Sequence, residues 1–180
     1  MKVVGFAGYS GAGKTTLLEP LIGLLVSSGA RVAVVKHAHH RFDIDHEGKD
    51  SWRHRKAGAC EVLVASDLRL ALMREYPAPR EPEVHALIAE IDPGVDWVLV
   101  EGFRGSDLPK IEIWRAPTAG HAANPVRYPQ DPAVQAIATD RPGALPEPTA
   151  LPVLDLNDVP LIARWLAANG ARFHYRPPLP

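Results

Sequence analysis

The feature that most constrains the fold is a glycine-rich segment near the amino terminus, Gly8-Tyr-Ser-Gly-Ala-Gly-Lys14-Thr15, which fits the pattern G-x-x-x-x-G-K-[ST]. The apolar run at residues 2–7 before it predicts a buried strand, and residues 14–28 after it have the composition of a helix. In that context the glycines let backbone N–H groups converge on a phosphate, and the helix amino terminus adds a partial positive charge. The segment therefore predicts nucleotide phosphate binding, with Lys14 at the β- and γ-phosphates and the Thr15 hydroxyl on Mg²⁺.

Apolar strands alternate with helices along the rest of the chain, which indicates an α/β protein with a mostly parallel sheet and helices on both faces. The expected strands are residues 31–36, 60–65, 97–100, 109–115, 134–138 and 152–156, and the further expected helices are residues 49–57, 82–91 and 158–168. Residues 68–74 are expected to pair beside 60–65, and the alternating pattern at 109–115 predicts an edge or half-exposed strand. Because we find no repeat or linker, residues 1–175 are predicted to form one domain, followed by a proline-rich tail at 176–180.

The composition is that of a globular protein, with 46% hydrophobic and 23% charged residues among 180. The 20 lysine and arginine residues are balanced by 21 aspartate and glutamate residues, which argues against a general nucleic-acid or membrane-surface binder. No window approaches roughly 18 uncharged apolar residues, so no membrane span is expected. The single cysteine, Cys60, cannot form an internal disulfide and favours a reducing, cytoplasmic location.

The segment after the second expected strand, residues 36–51, is rich in charged groups and in histidine. It emerges at the carboxyl edge of the expected sheet, where ligands bind in open α/β folds. Asp43 and Asp45 could hold Mg²⁺ directly or through water. Four side chains there could instead contact phosphates of the nucleotide or of a second anionic substrate: Lys36, His37, Arg41 and Lys49.

Histidines are concentrated in the same part of the chain, since five of the eight lie between His37 and His54. Neutral imidazole suits zinc or nickel, so the cluster could bind a transition metal through His37, His39, His40 and His46. No cysteine joins this cluster, and its spacing is not that of a standard structural zinc site. A third interpretation is a solvated polar loop whose histidines only form hydrogen bonds.

A second acidic strand end follows the apolar run Trp97–Val100, where Glu101 and Gly102 come directly after the strand. P-loop proteins need a carboxylate near Mg²⁺ on a neighbouring strand, usually Asp, and Glu101 is the candidate here. Gly102 could allow a backbone N–H to approach a γ-phosphate. Alternatively, Glu101 only caps its strand or pairs with Arg104 or Lys110.

A third acidic candidate lies after the strand expected at residues 134–138, where Asp140 follows Thr139. A carboxylate in this place could accept hydrogen bonds from N1–H and the exocyclic amine of guanine, and adenine lacks that pair of donors. The alternative is an Asx turn leading into Arg141-Pro142-Gly143, which is a favourable turn sequence.

Taken in order, these motifs resemble those of the MobB family. The segments that carry the resemblance are GYSGAGKTT, VVKHAHHRFDIDHEGKDSWRHRKAGA, WVLVEGFRGSDLPKIEIWR, AIATD and LDLND. The similarity runs from Lys2 to about Trp165, and the long motif from Val34 to Ala59 is its most specific part. It implies a three-layer P-loop NTPase fold, a homodimer, GTP with Mg²⁺ as ligand and weak GTPase activity. It also implies a role in molybdopterin-guanine dinucleotide (molybdenum cofactor) biosynthesis, in partnership with the guanylyltransferase MobA.

The resemblance further implies roles for particular residues. The phosphate-binding set is expected to be Gly8, Ser10, Gly11, Ala12, Gly13, Lys14, Thr15 and Thr16. Lys36, His37 and Gly102 are expected in the nucleotide cleft, and Asp140 is expected at guanine although the usual N-K-x-D lysine is missing. The expected magnesium ligands are Thr15, Glu101, Asp43 and Asp45, and the candidate catalytic residues are Lys14, Glu101 and Asp43. Arg41 and Arg104 lie near the expected cleft, but neither is clearly placed as an arginine finger.

Two other classes of function stay open on the sequence. A small-molecule kinase or ATP-dependent enzyme would prefer adenine and transfer to a defined acceptor, whereas a metallochaperone-like GTPase would carry nickel or zinc on the histidines. Molybdopterin is a further candidate ligand that the sequence does not decide. The apolar residues Trp97, Ile111, Ile113 and Trp114 could form an edge for self-association or belong to the sheet core.

Overall fold

A computed structural model describes residues 1–38, 42–117 and 124–178 of the chain. The chain divides into two compact units, one formed by Met1–His37 with Glu83–Pro180 and the other by Ala38–Pro82. The expectation of one domain over residues 1–175 stays a prediction. None of the helices in the described ranges is long and apolar enough to cross a membrane.

Every expected strand and helix is present close to its expected bounds. Along the chain the elements are β1 (Lys2–Ala7), α1 (Lys14–Ser27), β2 (Val32–Lys36), α2 (Asp50–Lys56), β3 (Glu61–Ala65), β4 (Leu70–Arg74), α3 (Val84–Ala89), β5 (Trp97–Glu101), β6 (Lys110–Trp114), β7 (Val134–Thr139), β8 (Val153–Asp155) and α4 (Val159–Ala168). Short 3₁₀ turns occupy Pro142–Ala144 and Gly170–Phe173. The start of α4 is fixed by its N-cap, since the Asp158 carboxylate accepts the Leu161 N–H at 2.9 Å.

The first unit is built on a six-stranded sheet in the order β2-β5-β1-β6-β7-β8. All neighbouring strands in it are parallel, which confirms the expected parallel α/β architecture. The carboxyl ends of these strands therefore meet at one edge of the sheet, where open α/β folds bind their ligands. The glycine-rich loop at residues 8–13, here called the phosphate loop, follows β1, Glu101 is the last residue of β5, and Asp140 follows β7, so all three lie at that edge.

Side chains alternate between the two faces of this sheet, and helices cover both faces. On one face, Phe6 and Leu99 belong to the core formed with α1 and α4. On the other face, Val98 and Val100 belong to the core formed with α3. The expected three layers are thus confirmed, with the sheet buried on both sides. The residues considered for a self-association edge are buried and belong to the sheet core: Trp97, Ile111, Ile113 and Trp114.

The expectation of an edge or half-exposed strand at β6 is wrong, because β6 lies between β1 and β7 and is buried along its whole length. Its charged side chains have partners inside the protein. The Lys110 ammonium donates to Asp131 at 3.1 Å and to two backbone carbonyl groups. The Glu112 carboxylate accepts the backbone N–H groups of Arg127 and Tyr128, each at 2.8 Å. Buried polar groups satisfied in this way do not require an exposed strand.

The second unit contains α2 and an antiparallel hairpin of β3 and β4. The expected pairing of these two strands is confirmed, with Leu63 opposite Leu72 and Ala65 opposite Leu70. Because side chains alternate along a strand, Leu63, Leu70 and Leu72 share one face of the hairpin. All three are exposed, which leaves an apolar surface on this unit.

Candidate functional site

The backbone of the glycine-rich loop has the conformation that the sequence predicts for a phosphate loop. Gly8 follows β1, and a Cβ atom there would lie 2.6 Å from the Ile113 carbonyl oxygen, so only glycine fits. Gly11 and Gly13 have φ angles of 77° and 95°, in the left-handed region that favours glycine. Gly13 is also the N-cap of α1, so the positive end of that helix faces the loop. The remaining members of the expected phosphate set complete this loop and first helical turn: Ser10, Ala12, Lys14, Thr15 and Thr16.

The Lys14 side chain folds across the loop that precedes it. Its ammonium donates to the carbonyl oxygens of Gly8 and Tyr9, each at 2.8 Å. An ammonium has three N–H donors, so this arrangement leaves the third for a ligand. Burial lowers the pKa of Lys14 below its usual value, and the nearby charges of Lys36 and Arg104 lower it further, while Glu101 opposes them.

Thr15, Glu101 and Lys36 form one contact cluster at the carboxyl edge of the sheet. The Thr15 hydroxyl donates to Glu101 Oε1 at 2.7 Å, and the Lys36 ammonium lies 3.1 Å from Glu101 Oε2 and 3.4 Å from Thr15 Oγ1. Lys36 and Glu101 end adjacent strands and are register partners in the sheet. The structure therefore brings together three residues expected at the nucleotide, and Glu101 pairs with neither Arg104 nor Lys110.

The Thr15 and Glu101 oxygens fit the hard oxygen ligands that Mg²⁺ prefers. Among the described residues, no group of three or more histidine, cysteine, aspartate or glutamate side chains could hold a metal ion. Two protein oxygens nevertheless suffice for a nucleotide-bound Mg²⁺, because phosphates and water supply its other ligands. A metal centre that does not use a nucleotide would need more protein ligands, and the described part of the chain contains no such group.

Gly102 and Phe103 turn the chain sharply after β5. Gly102 has a φ of 95°, and a Cβ atom there would lie 2.9 Å from the His37 Cβ atom. Phe103 has a φ of 46°, unusual for a bulky residue, and its ring stacks on His37 with centroids 4.7 Å apart. The Gly102 N–H donates to the Phe6 carbonyl at 3.3 Å, so its expected approach to a γ-phosphate stays a prediction.

Asp140 lies beside the phosphate loop and is joined to it by an arginine. Arg115 Nη1 donates to Asp140 Oδ2 at 3.1 Å, and Arg115 Nε donates to the Ala12 carbonyl oxygen at 3.2 Å. Asp140 Oδ1 is buried and has no hydrogen-bond partner among the described residues. The Asx-turn alternative is wrong, because Pro142, two residues after Asp140, has no N–H to donate, while Oδ2 accepts from Arg115 and Oδ1 has no partner among the described residues.

Asp43 and Asp45 lie in the second unit, where Arg55 engages both. The Arg55 guanidinium donates to Asp43 Oδ2 at 2.7 Å and lies 3.4 Å from Asp45 Oδ2. The hydrogen bond from Arg55 holds the pKa of Asp43 below its usual range. Asp45 also accepts the Ser51 hydroxyl at 2.9 Å. Their expected role as magnesium ligands, and that of Asp43 in catalysis, stay predictions.

The histidine-rich segment is described only in part. His39, His40 and Arg41 lie outside the described residues, so the expectations that rest on them stay predictions. His37 stacks on Phe103, and the His46 backbone N–H donates to its neighbour Asp45. The interpretation as a metal cluster therefore gains no support from the described part of the segment.

Two arginines at the site were not assigned to it by sequence reasoning. Arg115 follows β6 and reaches both Ala12 and Asp140. Arg104 was noted only as near the cleft, and its guanidinium lies over the Tyr9 ring, 4.7 Å from the centroid. The signal for Arg115 was available in the topology, since β6 and β7 are neighbours and a residue after β6 must lie near one after β7.

Comparisons with known proteins identify similar chains over most of this length. The family model for MobB, described as molybdopterin guanine dinucleotide synthesis protein B, matches residues 3–140. A molybdopterin-guanine dinucleotide biosynthesis adapter protein of Haemophilus influenzae is 40% identical over 173 residues, which cover 96% of this chain and 91% of that protein. The protein of the same name from Escherichia coli is 42% identical over 165 residues, covering 91% of this chain and 90% of that protein. The crystal structure of a MobB homologue from Bacillus stearothermophilus is 30% identical, with a TM-score of 0.63 and coverage of 93% of this chain and 97% of that one.

Proposed function

Because the chain belongs to the MobB family, we propose that it is an adapter in molybdopterin-guanine dinucleotide biosynthesis that binds GTP with Mg²⁺. We further propose that it hydrolyses GTP slowly and acts as a homodimer with the guanylyltransferase MobA. The observation that carries GTP binding is the joint placement of the phosphate loop and Asp140 at one sheet edge, linked through Arg115.

The phosphate end of the nucleotide is proposed to bind at the loop and the start of α1. Backbone N–H groups and the helix terminus attract the phosphates, and Lys14 has a third N–H to donate. Thr15 and Glu101 would hold Mg²⁺, which supplies charge neutralisation at the β- and γ-phosphates. Lys36 already lies against both of these residues, so its ammonium is near enough to contact a phosphate bound there.

The guanine end is proposed to bind at Asp140. The unpartnered oxygen Oδ1 can accept one N–H of guanine, and a remaining lone pair on Oδ2 can accept the second. Adenine offers no such pair of donors, so the arrangement favours GTP over ATP. This preference separates the proposal from the alternative of a kinase or other ATP-dependent enzyme.

Slow hydrolysis is proposed because both described arginines at the site are engaged in other contacts. Arg104 lies over Tyr9, and Arg115 is paired with Asp140. An arginine finger contributes about 10³–10⁵ in rate where a GTPase has one. A residue of the second protomer or of MobA is therefore proposed to be needed for fast turnover.

Self-association is supported by the hairpin of the second unit. Leu63, Leu70 and Leu72 place a run of exposed apolar side chains on one face, which is unusual for a surface without a partner. We propose that this face is covered in the homodimer. A cytoplasmic location is proposed on the single exposed thiol, Cys60, which suits a reducing compartment.

Calorimetric titration of GTP and ATP, each with Mg²⁺, tests the proposed nucleotide specificity. We expect the unmodified protein to bind GTP at least about tenfold more tightly than ATP, and Asp140→Asn to lose that preference. Asp92→Asn is the matched control, because Asp92 is an exposed carboxylate that pairs with Arg31 before β2. Equal binding of both nucleotides, or tighter binding of ATP, would contradict guanine recognition by Asp140 and favour the kinase alternative. Stoichiometric zinc or nickel in the purified protein would favour the metallochaperone alternative.

A further inference from the structure

We infer that Arg115 is the positioning residue for guanine recognition. It contacts both the phosphate loop and Asp140, and it replaces the lysine of the usual N-K-x-D motif, which residues 137–140 lack. This inference rests on the proposed binding of GTP. It assigns to Arg115 neither a catalytic step nor a direct contact with the base. The role is to hold one oxygen of Asp140 so that the carboxylate faces the base in a fixed orientation.

Residues 137–140, at the end of β7, contain no cationic side chain. Ile137-Ala138-Thr139-Asp140 stands where N-K-x-D is usual, so the buried Ala138 takes the position of the lysine. The neighbouring strand β6 provides a cation instead, because Trp114 is the register partner of Thr139 and Arg115 is the next residue. Parallel pairing thus delivers the guanidinium to Asp140 from β6 instead of from β7.

The contacts of Arg115 reach both ends of the nucleotide site. Its Nη1 donates to Asp140 Oδ2 at 3.1 Å, while its Nε donates to the Ala12 carbonyl at 3.2 Å. A Cβ atom at Gly13 would lie 3.1 Å from Arg115 Nε, so the guanidinium also packs closely against the loop. A planar guanidinium with donors in a fixed fork can hold two acceptors at a set distance, which a lysine ammonium does less rigidly.

The geometry leaves Asp140 ready for a ligand with two donors. Oδ2 is held by Arg115, whereas Oδ1 is buried without a partner in the described ranges. An unpaired buried acceptor is costly, and a ligand N–H would relieve that cost. Without Arg115, the carboxylate could rotate or turn toward other donors, and the two acceptor positions would no longer match guanine.

Substitution of Arg115 separates this role from a general effect on the loop. The probes are GTP, ATP and inorganic tripolyphosphate, each with Mg²⁺, titrated onto the 180-residue chain. We expect Arg115→Met to weaken GTP binding about 10- to 100-fold, because a charge-assisted hydrogen bond that orders the base contact is lost. Tripolyphosphate and ATP binding should change less than about threefold, so the GTP-to-ATP ratio falls.

Three further variants make the test specific. Arg115→Lys keeps the positive charge but not the forked donors of the guanidinium, so its GTP affinity should lie between those of the wild type and Arg115→Met. The lysine variant also provides the test if Arg115→Met is poorly folded. Combining Arg115→Met with Asp140→Asn should weaken GTP binding no more than Asp140→Asn alone, since both act through one contact. Arg31→Met is the control, because Arg31 forms an exposed pair of 2.6 Å with Asp92 before β2.

The outcomes distinguish this inference from the proposed function. Equal weakening of GTP, ATP and tripolyphosphate by Arg115→Met would mean that Arg115 only shapes the phosphate loop, which overturns the inference. Loss of GTP preference in Asp140→Asn but not in Arg115→Met would overturn the inference and leave GTP recognition intact. Absence of GTP preference in the unmodified protein would overturn the proposed function and this inference together.

Discussion

The Thr15 hydroxyl donates a hydrogen bond of 2.7 Å to Glu101, which joins the first turn of α1 to the carboxyl end of β5. The Lys36 ammonium contacts the other oxygen of the same carboxylate at 3.1 Å. Glu101 is buried, so its charge acts in a medium where it is weakly screened. These two contacts bring a hydroxyl, a carboxylate and an ammonium together at the end of the phosphate loop.

Glu101→Gln should make nucleotide binding less dependent on magnesium. We expect the increase in GTP affinity on adding Mg²⁺ to fall about tenfold or more, because a charged ligand becomes a neutral amide. In the presence of a chelator, the variant should bind GTP as well as the unmodified protein or better, since a carboxylate beside the triphosphate is removed. Paired calorimetric titrations with Mg²⁺ and with chelator measure both effects.

Glu61→Gln is the control for this prediction, because Glu61 is an exposed carboxylate that pairs with Arg74 on the hairpin. It should leave the magnesium dependence unchanged. If Glu101→Gln weakened GTP binding equally with Mg²⁺ and with chelator, Glu101 would support the loop without binding the metal.

Gly102→Ala should destabilise the protein and weaken binding of GTP with Mg²⁺. The φ of 95° disfavours any side chain, and the new Cβ atom would lie 2.9 Å from the His37 Cβ atom. We expect a loss of about 1–3 kcal/mol in the free energy of unfolding, measured by urea denaturation. Gly105→Ala is the control, because a Cβ atom there meets nothing within 4 Å and should leave stability nearly unchanged. Equal stability of the two variants would show that the turn adapts without strain.

Local patterns were sufficient to predict the elements and the phosphate loop. The segment from Gly8 to Thr15 specifies its own backbone through its glycines and its position between β1 and α1. The placement of Glu101 beside Thr15 also follows from local information, because parallel strands bring their carboxyl ends to one edge. These features depend on residues that are close in sequence or on a regular topology.

Features that depend on distant partners were missed. β6 was expected to be an edge or half-exposed strand because apolar and polar residues alternate along it, yet Glu112 accepts the backbone N–H groups of Arg127 and Tyr128, which cannot be inferred from the strand itself. Arg115 was overlooked for the same reason, since its contact with Asp140 depends on the order of β6 and β7 in the sheet. Strand order is decided by packing across the whole unit, which a local pattern does not record.

Charge on the exposed face of the hairpin should prevent self-association. Leu63→Lys combined with Leu70→Lys places two like charges on that face, and we expect the protein to sediment as a monomer where the unmodified chain sediments as a dimer. The free energy of unfolding at low protein concentration should change little, because both side chains are exposed. Val26→Lys on the exposed side of α1 is the control and should not change the sedimentation behaviour. A dimer that survived both hairpin substitutions would place the interface elsewhere.

Glu112→Gln should destabilise the protein with a distinctive pH dependence. Both oxygens of Glu112 accept backbone N–H groups, from Arg127 and Tyr128, so a glutamine would turn its NH₂ group toward one of these donors. We expect a loss of about 1–3 kcal/mol in the free energy of unfolding near pH 5.

Burial raises the pKa of Glu112 above its usual value of 4.5, so the folded state holds a proton that the unfolded state has released. Wild-type stability therefore receives a contribution that falls as the pH rises from about 4.5 through the folded-state pKa.

The glutamine variant lacks this proton, so its stability should not show that decline. The difference between wild type and Glu112→Gln should accordingly be largest at the acidic end and narrow toward neutral pH. Urea denaturation at several pH values between about 4 and 8 measures the difference directly. Glu147→Gln is the control, because Glu147 is exposed and its substitution should change the free energy of unfolding by less than about 0.5 kcal/mol at every pH. A difference that widened with rising pH would mean that the buried carboxylate is stabilised in its charged form.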